Sequence, residues 1–162
     1  MRRLLAPLLI LMLASGCSTK PVLPTAGADL TIKPSQVVAS GTSFTGTRVL
    51  WGGIIINSSN LTNSTRLEVL AYPLDSQQRP QTDQPAGSRF FAYHPGYLET
   101  ADYAAGRLIS MVGIINDIEE GRLGEHRYHY PRIDTEQAHL WPLKSQEIDT
   151  RLHFGIGVIF SN

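Results

Sequence analysis

The chain of 162 residues is long enough for one domain of ordinary size, and 42% hydrophobic with 17% charged residues is a globular composition. Fourteen basic residues balance fourteen acidic ones, so no overall positive field indicates nucleic-acid binding. A single cysteine excludes an internal disulfide and any metal site built from a cysteine cluster.

The first seventeen residues have the order of a secretory leader. A cationic start at Met1-Arg2-Arg3 is followed by eleven uncharged residues, Leu4 to Ala14. A membrane-spanning helix needs about 20 apolar residues, so this run is too short to remain as an anchor. The small residues Ala14-Ser15-Gly16 lead directly to Cys17 and resemble the lipobox of bacterial lipoproteins. We therefore expect residues 1–16 to be a signal peptide that is removed, and Cys17 to carry a covalent lipid that holds the protein on a membrane.

The stretch after Cys17 has little periodicity. Residues 18–35 contain three prolines and are typical of an extended linker. We expect a lipidated N-terminus and flexible tether over 17–35, followed by a periplasmic β domain over 36–162. Among lipoproteins of enteric-type bacteria, an aspartate after the cysteine usually retains the protein in the inner membrane, so Ser18 indicates the outer membrane.

From Arg48 onward, the pattern of apolar and polar residues is typical of β-strands. Six runs combine β-branched or aromatic residues with alternation of apolar and polar positions. Glycines at Gly52-Gly53 and Gly113 lie inside two of them and predict a bulge or a bend. Residues 98–105 are the one modest helix candidate. The six predicted strands are 48–58, 65–74, 88–94, 107–117, 124–133 and 150–160.

Six strands with central glycines in a short domain predict an all-β fold. A small closed or partly open antiparallel barrel of the oligonucleotide/oligosaccharide-binding type fits best, because glycines let long strands bend enough to close a barrel. A β-sandwich is the alternative. The run at 150–160 resembles the last strand of a transmembrane barrel, but such a barrel needs eight or more strands of about ten residues. We therefore expect this run to close the small barrel.

Cations alternate with aromatic residues in the stretch from Glu125 to Arg132. A surface of this kind can hold a phosphate through its cations or stack on sugar rings through its aromatic side chains. In the alternative interpretation, the tyrosines fill the barrel core or its mouth and the charges are solvated. The candidate binding residues are Arg127, Tyr128, His129, Tyr130 and Arg132.

Metal binding and catalysis have little support in the sequence. His126 and His129 are three positions apart, so on a strand they point to opposite faces and cannot share an ion without a bulge. Glu68 and Glu125 are candidates for the paired carboxylates of a glycan hydrolase, but nothing in the sequence brings them together. The chain has no Gly-x-Ser-x-Gly elbow, P-loop or dinucleotide-binding glycine pattern. We therefore expect neither a catalytic residue nor a metal site.

Short groups of aromatic, glycine and proline residues occur in a characteristic order along most of the domain. They are Trp51-Gly52-Gly53, Glu68 with Tyr72-Pro73-Leu74, Arg79-Pro80, Arg89-Phe90, Gly96-Tyr97-Leu98, Tyr103 with Gly106-Arg107, Val112-Gly113, Gly121, Gly124-Glu125, Tyr128, Tyr130-Pro131 and Leu140-Trp141. Together with the lipobox, this order resembles the Slp-type starvation-inducible outer-membrane lipoproteins of Gram-negative bacteria. The resemblance implies a periplasm-facing lipoprotein with a role in the envelope under nutrient or stationary-phase stress, and it supplies no catalytic residues.

The sequence as a whole predicts a non-enzymatic outer-membrane lipoprotein with a structural or interaction role in the cell envelope. The alternative is a module that binds a glycan or a lipid headgroup through its aromatic and basic face, and a glycan-active hydrolase is the weaker alternative. We expect no cofactor other than the covalent lipid on Cys17, and no nucleic-acid partner. The expected partners are the outer membrane, through the anchor, and an envelope protein or a glycan.

Overall fold

A computed structural model describes residues 21–143 of the chain. Residues 1–20 and 144–162 lie outside the described part, and with them the predicted signal peptide, Cys17 and the predicted strand at 150–160. Within the described part, no helix is both long and apolar enough to cross a bilayer.

Five strands form one sheet that closes on itself as a barrel, in the ring order β1-β2-β3-β5-β4. Neighbouring strands are antiparallel except β3 and β5, which run parallel. A closed ring with an odd number of strands cannot alternate in direction throughout, so one parallel pair is unavoidable. In chain order the strands are β1 (Arg48–Asn60), β2 (Ser64–Ala71), β3 (Arg89–Pro95), β4 (Leu108–Leu123) and β5 (His126–Leu140).

The predicted all-β barrel is confirmed, with two differences in detail. One strand pair is parallel, whereas the sequence analysis expects antiparallel pairs throughout. The ring is closed by β4, which pairs with β1 along its first half and with β5 along most of its 16 residues. Because β4 pairs with both β1 and β5, the ring of residues 48–140 is complete without the run at 150–160.

Alternate residues of all five strands fill the barrel interior. Along β2, buried positions alternate strictly with half-buried ones from Ser64 to Ala71. Trp51 packs edge-on against Phe90, with ring centroids 5.1 Å apart, and this pair forms the aromatic centre of the core. The other strand residues of the core are Val49, Ile55, Leu67, Val69, Ala71, Ala92, Ile109, Met111, Ile115 and Ile133.

Two of the glycines in the strands allow neighbouring backbones to approach closely. Gly53 pairs with Ala71 on one side and Ile109 on the other, and a Cβ there would overlap the carbonyl group of Leu70. Gly113 lies at a register shift between β4 and β5, as expected for a glycine at a bulge, and its Cβ would be 2.6 Å from the Asp134 carbonyl oxygen.

The helix prediction is wrong in position. Residues 98–105 form turns, whereas a short helix, α1, spans Pro34–Ser40 and continues into a 3₁₀ helix at Gly41–Phe44. A helix of two turns is not stable by its own propensity, so tertiary contacts decide where one forms. α1 has a proline at its start, and its Val37 is 1% exposed within the core cluster.

The segment before α1 lies against the barrel, although the sequence analysis assigns it to the tether. Leu23 is buried and exchanges two hydrogen bonds with the amide of Gln78. Further along, Asp29 forms a parallel bridge with Val49. The chain from residue 21 onward is therefore part of the folded unit, because an apolar residue and several backbone groups find partners there.

Candidate functional site

The β4–β5 hairpin, residues 117–131, is the most prominent feature outside the barrel interior. In this stretch β4 and β5 pair only with each other within the described sheet. The register places Glu119 opposite Tyr130 and Gly121 opposite Tyr128 on the inner face of the hairpin. This inner face contacts the outer side of β2 and β3.

Aromatic stacking attaches the hairpin to β3. Tyr130 is 2% exposed and stacks on Phe91, with ring centroids 4.1 Å apart and planes 11° from parallel. On β2, the guanidinium carbon of Arg66 lies over the Phe91 ring, 4.8 Å from its centroid. Gly121 leaves room for the tyrosine, since a Cβ there would be 2.7 Å from the Tyr130 ring.

A carboxylate on β2 organises the polar edge of this stack. Glu68 accepts a hydrogen bond from Arg89 at 2.7 Å and one from the Tyr130 hydroxyl at 3.3 Å. Burial raises the pKa of Tyr130, and the negative charge of Glu68 raises it further. The backbone N–H of Arg89 donates to the hydroxyl of Tyr128 at 2.9 Å, which fixes a second tyrosine of the hairpin.

A second polar group lies between β3 and the base of the hairpin. The Tyr93 hydroxyl donates to Glu119 at 3.0 Å, and Arg132 lies over the Tyr93 ring, 4.2 Å from its centroid. Arg132 also pairs with Glu119 at 3.7 Å and with Asp134 at 2.9 Å. Burial raises the pKa of Tyr93, and its hydrogen bond to Glu119 adds to the effect. The cation at Arg132 is thus shared between two carboxylates and an aromatic ring.

Between the hairpin and β2 lies a cleft of about 250 Å³, here called the hairpin cleft. Arg66 lies over the Phe91 ring at one wall of this cleft, and within residues 21–143 it belongs to no ion pair. The polar residues that line it are Asn57, Arg66, Glu68, Glu119, Glu120, Arg122 and Tyr130, of which Glu120 and Arg122 border it from the hairpin strand.

The outer face of the hairpin carries charged residues that point away from the barrel. The register places Arg122 directly opposite Arg127, and Glu120 opposite His129. The side chain of Arg122 is 71% exposed, and its contact with Glu125 at 3.5 Å involves a carboxylate that is 96% exposed. Such an exposed pair contributes little to stability, so this face is largely solvated.

The predicted binding residues divide between these two faces. Tyr128, Tyr130 and Arg132 lie on the inner face, where they contact β3, whereas Arg127 and His129 lie on the outer face. The five side chains therefore do not meet at one surface, because successive residues of a strand point to opposite sides.

The structure also separates the two carboxylates considered for hydrolysis. Glu68 faces the hairpin cleft and is engaged by Arg89 and Tyr130, whereas Glu125 lies exposed at the hairpin turn. Sequence reasoning missed Arg66 and Phe91 as members of the site. Alternation along β2 and β3 places them on the outer face, but only the fold shows that the hairpin covers them.

Comparison with known proteins places these features in a family. The model of the outer membrane lipoprotein Slp family matches residues 14–156. An uncharacterized lipoprotein of Escherichia coli, YeaY, is 31% identical over 142 residues, which are 85% of this chain and 71% of that protein.

Two further similarities are more distant. The outer membrane protein Slp of E. coli is 25% identical over 101 residues, and the chain spans only 53% of its length. Among solved structures, a small single-stranded DNA-binding protein of Streptomyces coelicolor is 16% identical, over 59% of this chain and 94% of its own, with a TM-score of 0.34. On the extent of the family match, the chain belongs to the outer membrane lipoprotein Slp family.

Proposed function

We propose that the protein is a non-enzymatic interaction module of the outer membrane. In this proposal, a lipid on Cys17 anchors it, its barrel lies on the periplasmic side, and the outer face of the β4–β5 hairpin contacts an envelope protein. Membership of an outer membrane lipoprotein family supports the anchor. A role under nutrient limitation is part of the proposal.

The cross-strand pair of Arg122 and Arg127 carries the interaction part of the proposal. Like charges directly opposite on neighbouring strands destabilise a sheet, and the exposed contact of Arg122 with Glu125 at 3.5 Å offsets only part of this cost. A carboxylate of a partner, placed between the two guanidinium groups, would remove that repulsion and add charge-assisted hydrogen bonds. The stack of Tyr130 on Phe91 holds the hairpin in place, which lowers the entropy lost on binding.

Chemical crosslinking in living cells tests this proposal. The native protein, Cys17→Ala and the double variant Arg122→Glu/Arg127→Glu are crosslinked in parallel, and the joined proteins are identified by mass spectrometry. We expect links to one or two envelope proteins with the native chain. Those links should be lost with Cys17→Ala and with the double variant.

The matched control is Asp83→Lys, another charge reversal at an exposed loop position away from the hairpin. It should keep every link of the native protein. If the double variant keeps them as well, the hairpin is not the contact surface. If Cys17→Ala still sediments with the outer membrane, the anchor is not at Cys17.

The hairpin cleft supports a second candidate function, the binding of a glycan. Arg66 and Asn57 can donate to hydroxyl oxygens, and the carboxylates of the cleft can accept from hydroxyl groups. Inside the cleft Arg66 faces the two carboxylates of Glu68 and Glu119, so the cleft suits an uncharged polyhydroxylated ligand better than a phosphate headgroup.

Retention on immobilised peptidoglycan distinguishes this candidate from the first. Arg66→Ala should release the protein at lower salt or glycan concentration, whereas Lys33→Ala, an exposed cation elsewhere, should behave as the native chain. Equal retention of both variants would remove the cleft as a glycan site and leave the interaction module as it stands.

A further inference from the structure

An apolar cavity of about 750 Å³ lies at the other side of the barrel, between the segment before α1 and the loop that joins β2 to β3. We call it the N-terminal cavity. Its volume falls in the range of about 300–1,000 Å³ that is usual for small-molecule sites. Its apolar wall includes Leu30, Ile32, Leu50, Tyr72, Leu74 and Pro85.

Hydrogen bonds hold the segment that forms one wall of the N-terminal cavity. The Gln78 amide accepts from the Leu23 N–H at 2.7 Å and donates to the Leu23 carbonyl at 2.9 Å, which ties the segment to the loop. The indole N–H of Trp51 donates to the Ile32 carbonyl at 2.7 Å, which ties it to β1. The walls are therefore preformed, and an apolar ligand need not order them.

One apolar residue of the cavity wall, Leu30, is largely exposed to solvent, and a bound ligand would cover it. Leu30 is 61% exposed although it borders the cavity, whereas neighbouring Ile32 is 8% exposed. Apolar surface left in water at the mouth of an apolar cavity favours an apolar occupant.

The charge at the rim indicates what the polar end of this occupant must be. Lys33 borders the cavity, is exposed, and takes part in no ion pair within the described residues. The nearby carboxylate of Asp75 already accepts from the backbone N–H groups of Gln77 and Arg79. Asp75 keeps its charge, but two backbone donors bind it, whereas the Lys33 ammonium has no carboxylate partner in residues 21–143 and suits an anionic headgroup on an apolar chain.

The position of the cavity along the chain supports a membrane lipid as the source. Pro21 lines the cavity and lies four residues after Cys17. A chain extends by roughly 3.3–3.6 Å per residue, so a lipid-anchored Cys17 would keep the cavity close to the bilayer surface.

We propose that the N-terminal cavity binds a fatty acyl chain of an anionic phospholipid, with Lys33 facing the headgroup. The cavity and the charge of Lys33 do not depend on the proposed function, whereas the short distance to the bilayer depends on the proposed anchor at Cys17. Phosphatidylglycerol is the simplest probe, because it combines a negative headgroup with two acyl chains.

Photocrosslinking with vesicles tests the proposal. The purified native protein and Cys17→Ala are mixed with vesicles that contain phosphatidylglycerol with a diazirine in one acyl chain. After irradiation, flotation measures membrane attachment and mass spectrometry locates the lipid adducts. We expect adducts in the peptides that contain residues 21–35 and 72–88 for both proteins.

Three variants connect the adducts to the cavity. Ala86→Trp places an indole at the cavity wall and should remove most adducts, whereas Ala101→Trp, at an exposed turn that does not border the cavity, should keep them. Lys33→Gln should lower the yield about fivefold, the effect of one cation near an anionic lipid surface.

The two readouts separate failure of the site from failure of the anchor. A native protein that floats with the vesicles but carries adducts scattered over the barrel overturns the lipid site and leaves the anchor standing. Cavity adducts without flotation of the native protein contradict the anchor and support the site. Adducts only in Cys17→Ala would overturn the proposal, because the protein's own lipid would then fill the cavity in the native form. Equal yields in both tryptophan variants would overturn it as well.

Discussion

Two adjacent phenylalanines of β3 are buried in different surroundings. Phe90 points into the barrel, is fully buried, and meets Trp51 among aliphatic side chains. Phe91 points outward, is 8% exposed, and lies between the Tyr130 ring and the Arg66 guanidinium. The interior therefore depends on close packing, whereas the outer face depends on a hairpin that stacks and pairs with it.

The difference shows how one strand supports both the fold and a surface. Loss of an interior side chain leaves a cavity that the closed ring cannot collapse to fill. Loss of a contact under the hairpin can be relieved by local movement of residues 117–131, which pair only with each other in the described sheet. The two regions should respond differently to substitution.

The largest loss of stability is expected from Gly53→Ala, because this substitution disrupts the close approach of neighbouring strands in the barrel. The added methyl group would overlap the carbonyl group of Leu70, and both neighbours of β1 are fixed at this point. We expect more than about 4 kcal/mol of destabilisation, or loss of cooperative unfolding, measured by circular dichroism in denaturant. Gly87→Ala is the control, because its Cβ would be 3.6 Å from the nearest atoms. Similar stabilities for the two variants would contradict the account of barrel closure.

A smaller effect separates the two phenylalanines. Phe90→Ala should lower the free energy of unfolding by about 4 kcal/mol, as for other large buried aromatic residues. Phe91→Ala should cost about 2 kcal/mol, because the hairpin can adjust. Hydrogen exchange should quicken across the hairpin in Phe91→Ala and across all strands in Phe90→Ala. If both variants lose the same free energy of unfolding and show the same hydrogen-exchange pattern, the hairpin and the barrel interior form a single core.

The smallest effect concerns the Tyr130 hydroxyl. Its pKa is raised in the folded protein, so the unfolded chain ionises first, and this group lowers stability only as the pH rises above about 10. Tyr130→Phe should cost about 1 kcal/mol near neutral pH through loss of the hydrogen bond to Glu68, and the gap should narrow in alkaline solution. Denaturant unfolding near neutral pH and in alkaline solution measures the difference in stability between Tyr130→Phe and the native protein at each pH. A gap that widens with pH would contradict the assignment.

The sequence predicts what depends on local periodicity. Alternation along β2 identifies the inward side chains, and Gly113 marks a register shift. The stack of Tyr130 on Phe91 joins residues 39 positions apart and depends on the path of the hairpin. Proline content makes residues 21–33 resemble a tether, but the partner of Leu23 is Gln78, 55 positions away. Patterns of neighbouring residues extend over only a few positions, so they do not reveal contacts between residues this far apart in the sequence.

The contacts of the segment before α1 have a mechanical consequence. Force applied at residue 21 would first load the Leu23–Gln78 pair, whose two hydrogen bonds act in parallel. Next in line are the N–H of Asp29, which donates to the Arg48 carbonyl, and the carbonyl of Ile32, held by Trp51. These attachments precede the barrel strands along the chain, so a pull from this end would peel the segment away stepwise before it sheared the sheet.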